Sequence, residues 1–163
     1  MKNPTRRLRI LILFVFLFLT SLPTYAAEPP QTEQVKQTVA LVDKAGALLS
    51  SQGQGAFPQF KVKDSEWWKG DTYIYIYDMN GTLLMNPIYP MFEGKNLSQL
   101  LDIHQKAFIQ QLLSVAKTKG SGWFDFMLPR PGQSTPTQKL AYVKTVKLPD
   151  GTMVIVGSGF WVE

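Results

Sequence analysis

The sequence contains no cysteine and only one histidine, His104. Without cysteine the protein can form neither disulfides nor thiolate metal sites, so its stability must come from an apolar core. One histidine cannot form a histidine-rich metal cluster, and no acidic motif lies beside His104 to suggest a catalytic triad. No glycine-rich phosphate loop opens a helix anywhere in the chain. These absences argue against an enzyme and against a bound cofactor.

One short stretch resembles a catalytic motif. Gly157-Ser158-Gly159 is similar to the turn that carries a nucleophilic serine, but it lies at the end of the last predicted strand. That motif requires a helix directly after the serine, and none is predicted there. The acidic residues Asp64, Glu66, Asp71 and Asp78 are dispersed and indicate surface or turn positions. We therefore expect no enzymatic activity, and an enzyme of unknown class is the weaker alternative.

The amino-terminal segment is rich in basic residues. An apolar run from Ile10 to Leu19 follows four of them, Lys2, Arg6, Arg7 and Arg9, and small residues follow at Ala26 and Ala27. This pattern predicts a secretory signal peptide, residues 1–26, with cleavage after Ala26. The alternative is an uncleaved membrane anchor, for which the run is short, since a span needs roughly 20 apolar residues. We expect a periplasmic or secreted bacterial protein.

The net charge changes once this segment is set aside. The whole chain carries 17 Lys and Arg against 12 Asp and Glu, a net charge of +5, whereas residues 27–163 carry 13 against 12, or +1. The basic isoelectric point is therefore mainly a property of the predicted signal and does not indicate a nucleic-acid partner. After cleavage we expect no membrane span.

The rest of the chain predicts a helix followed by a mostly antiparallel sheet. An amphipathic stripe begins at Pro30 and continues to about Leu49, and Gly53 and Gly55 end it. Strands are predicted at 73–77, 83–85, 120–128, 140–147 and 153–160, with a two-residue hairpin turn at Asn80-Gly81. A second helix is predicted at 98–118, with an apolar side formed by Leu101, Phe108, Leu112, Leu113 and Val115. The expected fold class is α+β, a long N-terminal helix packed on a sheet of about five strands.

Three separated blocks carry a resemblance to a known family. They are YIYIYDMNGTLLMNPIYPMFEGKNLSQLLD, GSGWFDFMLPRPGQSTPTQKLAYVK and VIVGSGFWVE, in that order. The chain resembles the single Cache domain family, extracytoplasmic sensor domains of bacterial receptors with a PAS-like sheet and a long N-terminal helix. The resemblance covers roughly residues 33–163. It implies that residues 27–163 form a single Cache-like ligand-binding domain.

The resemblance also implies a ligand and a site. The family typically binds small organic acids such as short carboxylates. Asn86 stands where the family commonly has histidine, and Leu128 where it commonly has tryptophan. The candidate ligand-binding residues are Tyr73, Tyr75, Asn86, Asp102, Arg130, Lys139 and Tyr142.

The residue types support an acid-binding pocket independently of the family. Strand alternation places Tyr73, Tyr75 and Tyr77 on one face, with the isoleucines between them facing the long helix. Phenols provide apolar walls with a hydroxyl that donates to a carboxylate. Arg130, held between two prolines, could supply a bidentate fork at the pocket mouth, and Lys139 a second positive charge.

Each of these residues also has a purely structural interpretation. An alternating Tyr/Ile strand is commonly just a half-buried sheet. Arg130 could be a solvated surface charge, and Lys139 could protect a sheet edge against strand pairing. Asp102 could simply favour a helix dipole.

The chain ends soon after the last predicted strand, whereas a receptor would continue into a second membrane segment and an output domain. From this we expect a freestanding domain, monomeric or weakly dimeric, with a membrane receptor or kinase as a possible partner. The alternative is a periplasmic adaptor that has lost ligand binding.

Overall fold

The computed structural model describes residues 29–162, and the predicted signal peptide lies outside this range. A long helix, α1 (Glu33–Gln52), comes first. The hydroxyl of Thr32 accepts a hydrogen bond from the amide of Val35 at 3.2 Å and so caps its first turn. Gly53, with φ of 58°, ends the helix. Among the residues described, no helix combines the length and apolar character needed to cross a membrane.

Two short elements and a small hairpin connect α1 to the main sheet. A 3-10 turn (Gly53–Ala56) leads into α2 (Phe57–Phe60), and a two-stranded hairpin follows, formed by β1 (Trp68–Lys69) and β2 (Thr72–Tyr73). The rings of Phe60 and Trp67 pack edge to face with centroids 5.1 Å apart.

Five antiparallel strands form the main sheet. In chain order they are β3 (Tyr75–Asp78), β4 (Leu83–Met85), β5 (Ser121–Pro129), β6 (Pro136–Lys147) and β7 (Met153–Trp161). Their order across the sheet is β4-β3-β7-β6-β5. Gly157-Ser158-Gly159 lies buried within β7, where all three residues pair with β6 and Gly157 pairs with β3 as well. The predicted α+β fold is confirmed.

The two faces of the sheet bury different halves of the core, as the alternation of β3 predicts. Ile74 and Ile76 pack in one cluster with Val42 and Leu49 of α1. The tyrosine side packs in the other cluster, against α3 (Phe108–Lys119) and the aromatic residues of β5. Side-chain alternation therefore assigns α1 to one face and the phenols to the other.

The predicted second helix is too long at its start. Residues 98–107 form an irregular segment, and only α3 is helical. Gln105 has φ of 61°, a left-handed conformation that an α-helix cannot include, and the side chain of Asp102 bonds to the backbone of this turn. Leu101, placed on the apolar side by the helical period, is 46% exposed.

The β3–β4 hairpin forms where the sequence predicts it, but its turn is not the two-residue type. The Gly81 amide donates to the carbonyl of Asp78, and Gly81 has φ of 91°. The Asp78 carboxylate also accepts from the amides of Asn80 and Thr82, at 2.8 and 2.7 Å. This aspartate therefore stabilises a longer loop that ends in a left-handed glycine.

Candidate functional site

A cavity of about 280 Å³ lies on the phenol face of the sheet. Its walls come from β3, from the start of α3 and from the strands β5 and β6, and the segment 86–100 covers it. Most of the lining is aromatic or aliphatic, including Leu83, Phe108, Ile109, Leu112, Phe124 and Phe126. A mostly apolar cavity with a few polar groups is typical of a small-molecule site.

Three tyrosines form one wall: Tyr73 at the end of β2, and Tyr75 and Tyr77 of β3. The ring centroids of Tyr73 and Tyr75 are 6.4 Å apart, and those of Tyr75 and Tyr77 are 6.0 Å apart, both edge to face. All three rings line the cavity. Burial raises the pKa of each phenol well above its usual value, so all three hydroxyls keep their protons at neutral pH. The wall therefore offers neutral hydrogen-bond donors.

Lys139 is the cation of the cavity. Its side chain is only 1% exposed, and its ammonium nitrogen donates to the Tyr73 hydroxyl at 3.1 Å. The same nitrogen lies 4.1 Å from the centre of the Tyr73 ring and 4.0 Å from that of Trp161. Two aromatic faces stabilise a cation that has left water, although they do not neutralise its charge.

No carboxylate of residues 29–162 forms an ion pair with Lys139. Burial lowers its pKa from 10.5 to about 7, and the more distant charge of Asp71 opposes that shift only in part. A buried lysine without a counter-ion is costly for the fold. An anion bound in the cavity would supply the missing charge.

Tyr75 contributes a second unsatisfied group. Among the described residues its hydroxyl is the one buried side-chain polar atom without a hydrogen-bond partner. A buried donor with no acceptor costs about 1–3 kcal/mol. Because this ring lines the cavity beside that of Tyr73, a ligand oxygen there would accept the bond that the protein leaves unmade.

Asn86 lies at the edge of the cavity and serves two purposes. Its side-chain oxygen accepts from the amides of Ile88 and Tyr89, at 2.9 and 3.1 Å, and so shapes the segment that follows. The amide nitrogen of the side chain has no acceptor among the described residues. It is therefore free to donate toward the cavity that Asn86 lines.

Asp102 lies outside the cavity and holds its cover in place. Its carboxylate accepts from the amides of His104 at 2.8 Å, Lys106 at 3.0 Å and Met127 at 2.9 Å. Burial alone would raise its pKa, but these three donors and the nearby His104 lower it below its ordinary value. Asp102 thus attaches the turn that directly follows the covering segment to β5, outside the cavity.

A second attachment lies at the other end of the same segment. The Glu93 carboxylate accepts from the amide of Asn86 at 2.9 Å and pairs with the ammonium of Lys61 at 2.8 Å. The cover is thereby connected to the loop after α2 as well as to β5.

Besides Asp102, two of the sequence-predicted residues do not line the cavity. Arg130 follows Pro129, which does line it, but its guanidinium makes no ion pair with the described residues. Tyr142 lies on the opposite face of the sheet, where it packs against Trp123 and borders a separate groove beside α1. The alternation of β6 explains this, because Lys139 and Tyr142 are three residues apart and point to opposite faces.

Sequence reasoning missed several residues of the site. Trp161 stacks on Lys139 because the two are register partners of β7 and β6. The stacked rings of Phe124 and Phe126, 5.5 Å apart, form another wall. Phe124 and Phe126 could have been predicted to share a face, because they alternate along one strand. The position of Trp161 could not, because it depends on the strand register.

Comparison with known proteins decides the family. The pattern of the Cache domain matches residues 60–163. The chain belongs to the Cache domain family. Over 146 residues it is 29% identical to methyl-accepting chemotaxis protein McpP of Pseudomonas putida, a match that covers 85% of this chain and 26% of that protein. The chain thus spans about a quarter of the length of that curated relative.

Solved structures agree with this assignment. A Cache chemosensory domain, described for its recognition of carboxylic acids, aligns with a TM-score of 0.68 and 27% identity, covering 78% of this chain and 92% of that one. A periplasmic sensor domain of a chemotaxis protein aligns with a TM-score of 0.63 and 26% identity, covering 80% of this chain and 95% of that one. The resemblance recognised in the sequence is confirmed, and the chain is a sensor-type domain.

Proposed function

We propose that this domain binds a small organic acid in the cavity beneath the 86–100 segment. Lys139 would pair with the ligand carboxylate, and Tyr73 and Tyr75 would donate hydrogen bonds to it. Asn86 would donate from the edge of the cavity. The arrangement supports binding: among the described residues that line the cavity there is no serine, threonine, cysteine, histidine or carboxylate.

The observation that carries the proposal is the pair of unsatisfied groups on one wall. Lys139 is a buried cation without a carboxylate partner in residues 29–162, and the Tyr75 hydroxyl is a buried donor without an acceptor. Each group costs stability while the cavity holds no anion. A carboxylate satisfies both, because one oxygen accepts from an ammonium while the other accepts from a phenol. A structural neighbour described for carboxylic acid recognition supports the same ligand class.

Thermal melting of the purified protein tests the proposal. The ligands would be short mono- and dicarboxylates, with amino acids and purines as other chemistries. At about 100 times its dissociation constant, a ligand stabilises the folded state by roughly 2.7 kcal/mol, which shifts the melting temperature by several degrees. Lys139→Met should abolish the shift for carboxylates.

Lys144→Met is a matched control. Lys144 lies on the same strand but pairs with Asp43 of α1 at 2.6 Å, on the other face of the sheet. This variant should retain the full shift. If no compound shifts the wild-type melt, a periplasmic adaptor that no longer binds ligand becomes the better interpretation.

The setting of the domain is also part of the proposal. We infer an extracytoplasmic location, with ligand binding reported through a membrane receptor or kinase. The support is the sensor-type family and the chemotaxis relative. Fractionation would test the location, and a pull-down from a periplasmic extract, with and without ligand, would test for the partner.

A further inference from the structure

The cavity has a polar end and an apolar end. Lys139 and the Tyr73 hydroxyl, 3.1 Å apart, mark the polar end. The tyrosine rings then lead along the wall to Tyr77, next to the β3–β4 hairpin. At that hairpin the amide of Leu97 donates to the carbonyl of Gly81, and a Cβ placed on Gly81 would lie 3.4 Å from Ile109. Leu97 and Ile109, both of which line the cavity, therefore close it at the end away from the cation.

The volume exceeds what a carboxylate group needs. At about 30 Å³ per water molecule, 280 Å³ corresponds to roughly nine water volumes. An acid of two or three carbons would fill only the end beside Lys139. Water in the rest would meet mostly aliphatic and aromatic side chains, since the polar lining residues are Lys139, Asn86 and the four tyrosines Tyr73, Tyr75, Tyr77 and Tyr89. Apolar space of this kind favours an apolar occupant.

We propose that the ligand is a monocarboxylate with a branched aliphatic or aromatic body, its carboxylate at Lys139 and its body directed toward Leu97 and Ile109. This inference rests on the function proposed above and narrows its ligand class. A dicarboxylate would place its second charge against apolar side chains, which is costly. A free α-amino acid would place its ammonium beside that of Lys139, where the two like charges repel.

Titration calorimetry with a graded set of acids tests the inference. Acetate, propionate, 4-methylpentanoate, phenylacetate and 3-phenylpropionate share the carboxylate and differ in apolar size. Each buried methylene should tighten binding about fourfold. Phenylacetate should bind at least tenfold more tightly than acetate, and succinate more weakly than 4-methylpentanoate. Phenylacetamide, which lacks the charge, should bind weakly.

A variant at the apolar end gives a second readout. Leu97 is only half-buried, so Leu97→Trp should be tolerated and should fill the end beside Ile109. It should weaken 3-phenylpropionate binding at least tenfold while changing that of acetate less than about twofold. Leu101→Trp, just after the same segment, exposed and outside the cavity, is the control and should change neither.

The outcomes separate this inference from the proposed function. If acetate binds as tightly as the aromatic acids, or Leu97→Trp affects all acids equally, the ligand body is not where we place it, although carboxylate binding stands. If none of the acids binds at all, both proposals fail.

Discussion

Gly157 lies directly opposite Tyr75 in the β3–β7 register, and the Tyr75 ring occupies the space that a side chain at Gly157 would need. A Cβ added there would lie 2.5 Å from Cε2 of the ring and 2.7 Å from its hydroxyl oxygen. The Gly-Ser-Gly stretch that resembles a catalytic turn thus has a packing role. Its first glycine allows Tyr75 to lie across the neighbouring strand and present its hydroxyl to the cavity.

Gly157→Ala should therefore disturb both the fold and the site. We expect a loss of about 1–3 kcal/mol in the free energy of unfolding, because the added methyl overpacks a buried strand. Carboxylate binding should weaken as the ring moves. Gly55→Ala, where a Cβ would meet no atom within 4 Å, is the matched control and should be nearly neutral. In a Tyr75→Ala background the cost of Gly157→Ala should shrink, and an unchanged cost in that double-mutant cycle would show that the ring is not the cause.

Tyr75→Phe should change stability and binding in opposite directions. Removal of an unsatisfied buried hydroxyl should leave the ligand-free protein as stable as wild type or more stable, since that group costs about 1–3 kcal/mol. The same change should weaken carboxylate binding by about 1.5–3 kcal/mol, the worth of a hydrogen bond to a charged group. Urea unfolding and calorimetry measure the two effects. A variant less stable than wild type without ligand would mean that the hydroxyl already has a partner.

Asp102→Asn should loosen the cover of the cavity. The amide retains one acceptor oxygen, so at least one of the bonds to His104, Lys106 and Met127 is lost, at a cost of about 1–3 kcal/mol. Because the folded-state pKa of Asp102 is lowered, its contribution is present above the ordinary value of 3.8 and is lost as pH falls through the folded pKa. In acid, the difference in the free energy of unfolding between the wild type and Asp102→Asn should therefore disappear. Asp150→Asn, in an exposed turn, should change stability less, and equal losses in the two variants would contradict the attachment role.

The division between what the sequence predicted and what it missed has a physical origin. Alternation at Ile74 and Ile76 identifies the two faces of the sheet, because a period of two is a local property of the chain. Contacts between strands that are far apart in the sequence cannot be predicted from a local pattern. That Trp161 covers Lys139 depends on the β6–β7 register, and no short-range pattern specifies it.

The wrong helix prediction at residues 98–107 has a local cause. The helical period extended through Leu101 because apolar residues recur at helical spacing there, yet the side chain of Asp102 bonds the backbone and Gln105 adopts a left-handed conformation. A side chain that competes for backbone amides overrides propensity. Tyr142 is a separate case: it was grouped with Lys139 from the family pattern, whereas the alternation of β6 places the two on opposite faces.

Arg130→Ala tests whether the cation of the Pro-Arg-Pro loop contacts the ligand. The sequence alone made Arg130 the principal anion contact, but Lys139 is the cation that lines the cavity. Without ligand, we expect the free energy of unfolding of this variant to stay within about 0.5 kcal/mol of the wild-type value. Carboxylate affinity should fall less than tenfold, and the difference should vanish at high salt, as expected for a screened charge near the mouth. Loss of all binding in this variant would show that the guanidinium reaches the ligand directly.

The buried ammonium of Lys139 should make both stability and binding depend on pH near neutrality. Its folded-state pKa, lowered by burial to about 7, lies below the ordinary value of 10.5, so between these values the unfolded chain binds more protons than the folded one. The free energy of unfolding should therefore rise with pH, by about 1.4 kcal/mol per unit between pH 7 and 9, relative to Lys139→Met. Above about pH 10 the raised pKa values of Tyr73, Tyr75 and Tyr77 reverse the trend, because the unfolded chain loses those protons first.

Carboxylate binding should show the opposite dependence on pH. The ligand selects the protonated lysine, so its affinity should fall about tenfold for each pH unit above the folded-state pKa, with uptake of a proton on binding. Urea unfolding at pH 6, 7, 8 and 9 measures the stability effect, and calorimetry in buffers of different ionisation enthalpy measures the proton uptake. The free energy of unfolding could instead have the same slope against pH in wild type and Lys139→Met, with no proton taken up on binding. That result would mean that Lys139 is already charged and paired before the ligand arrives.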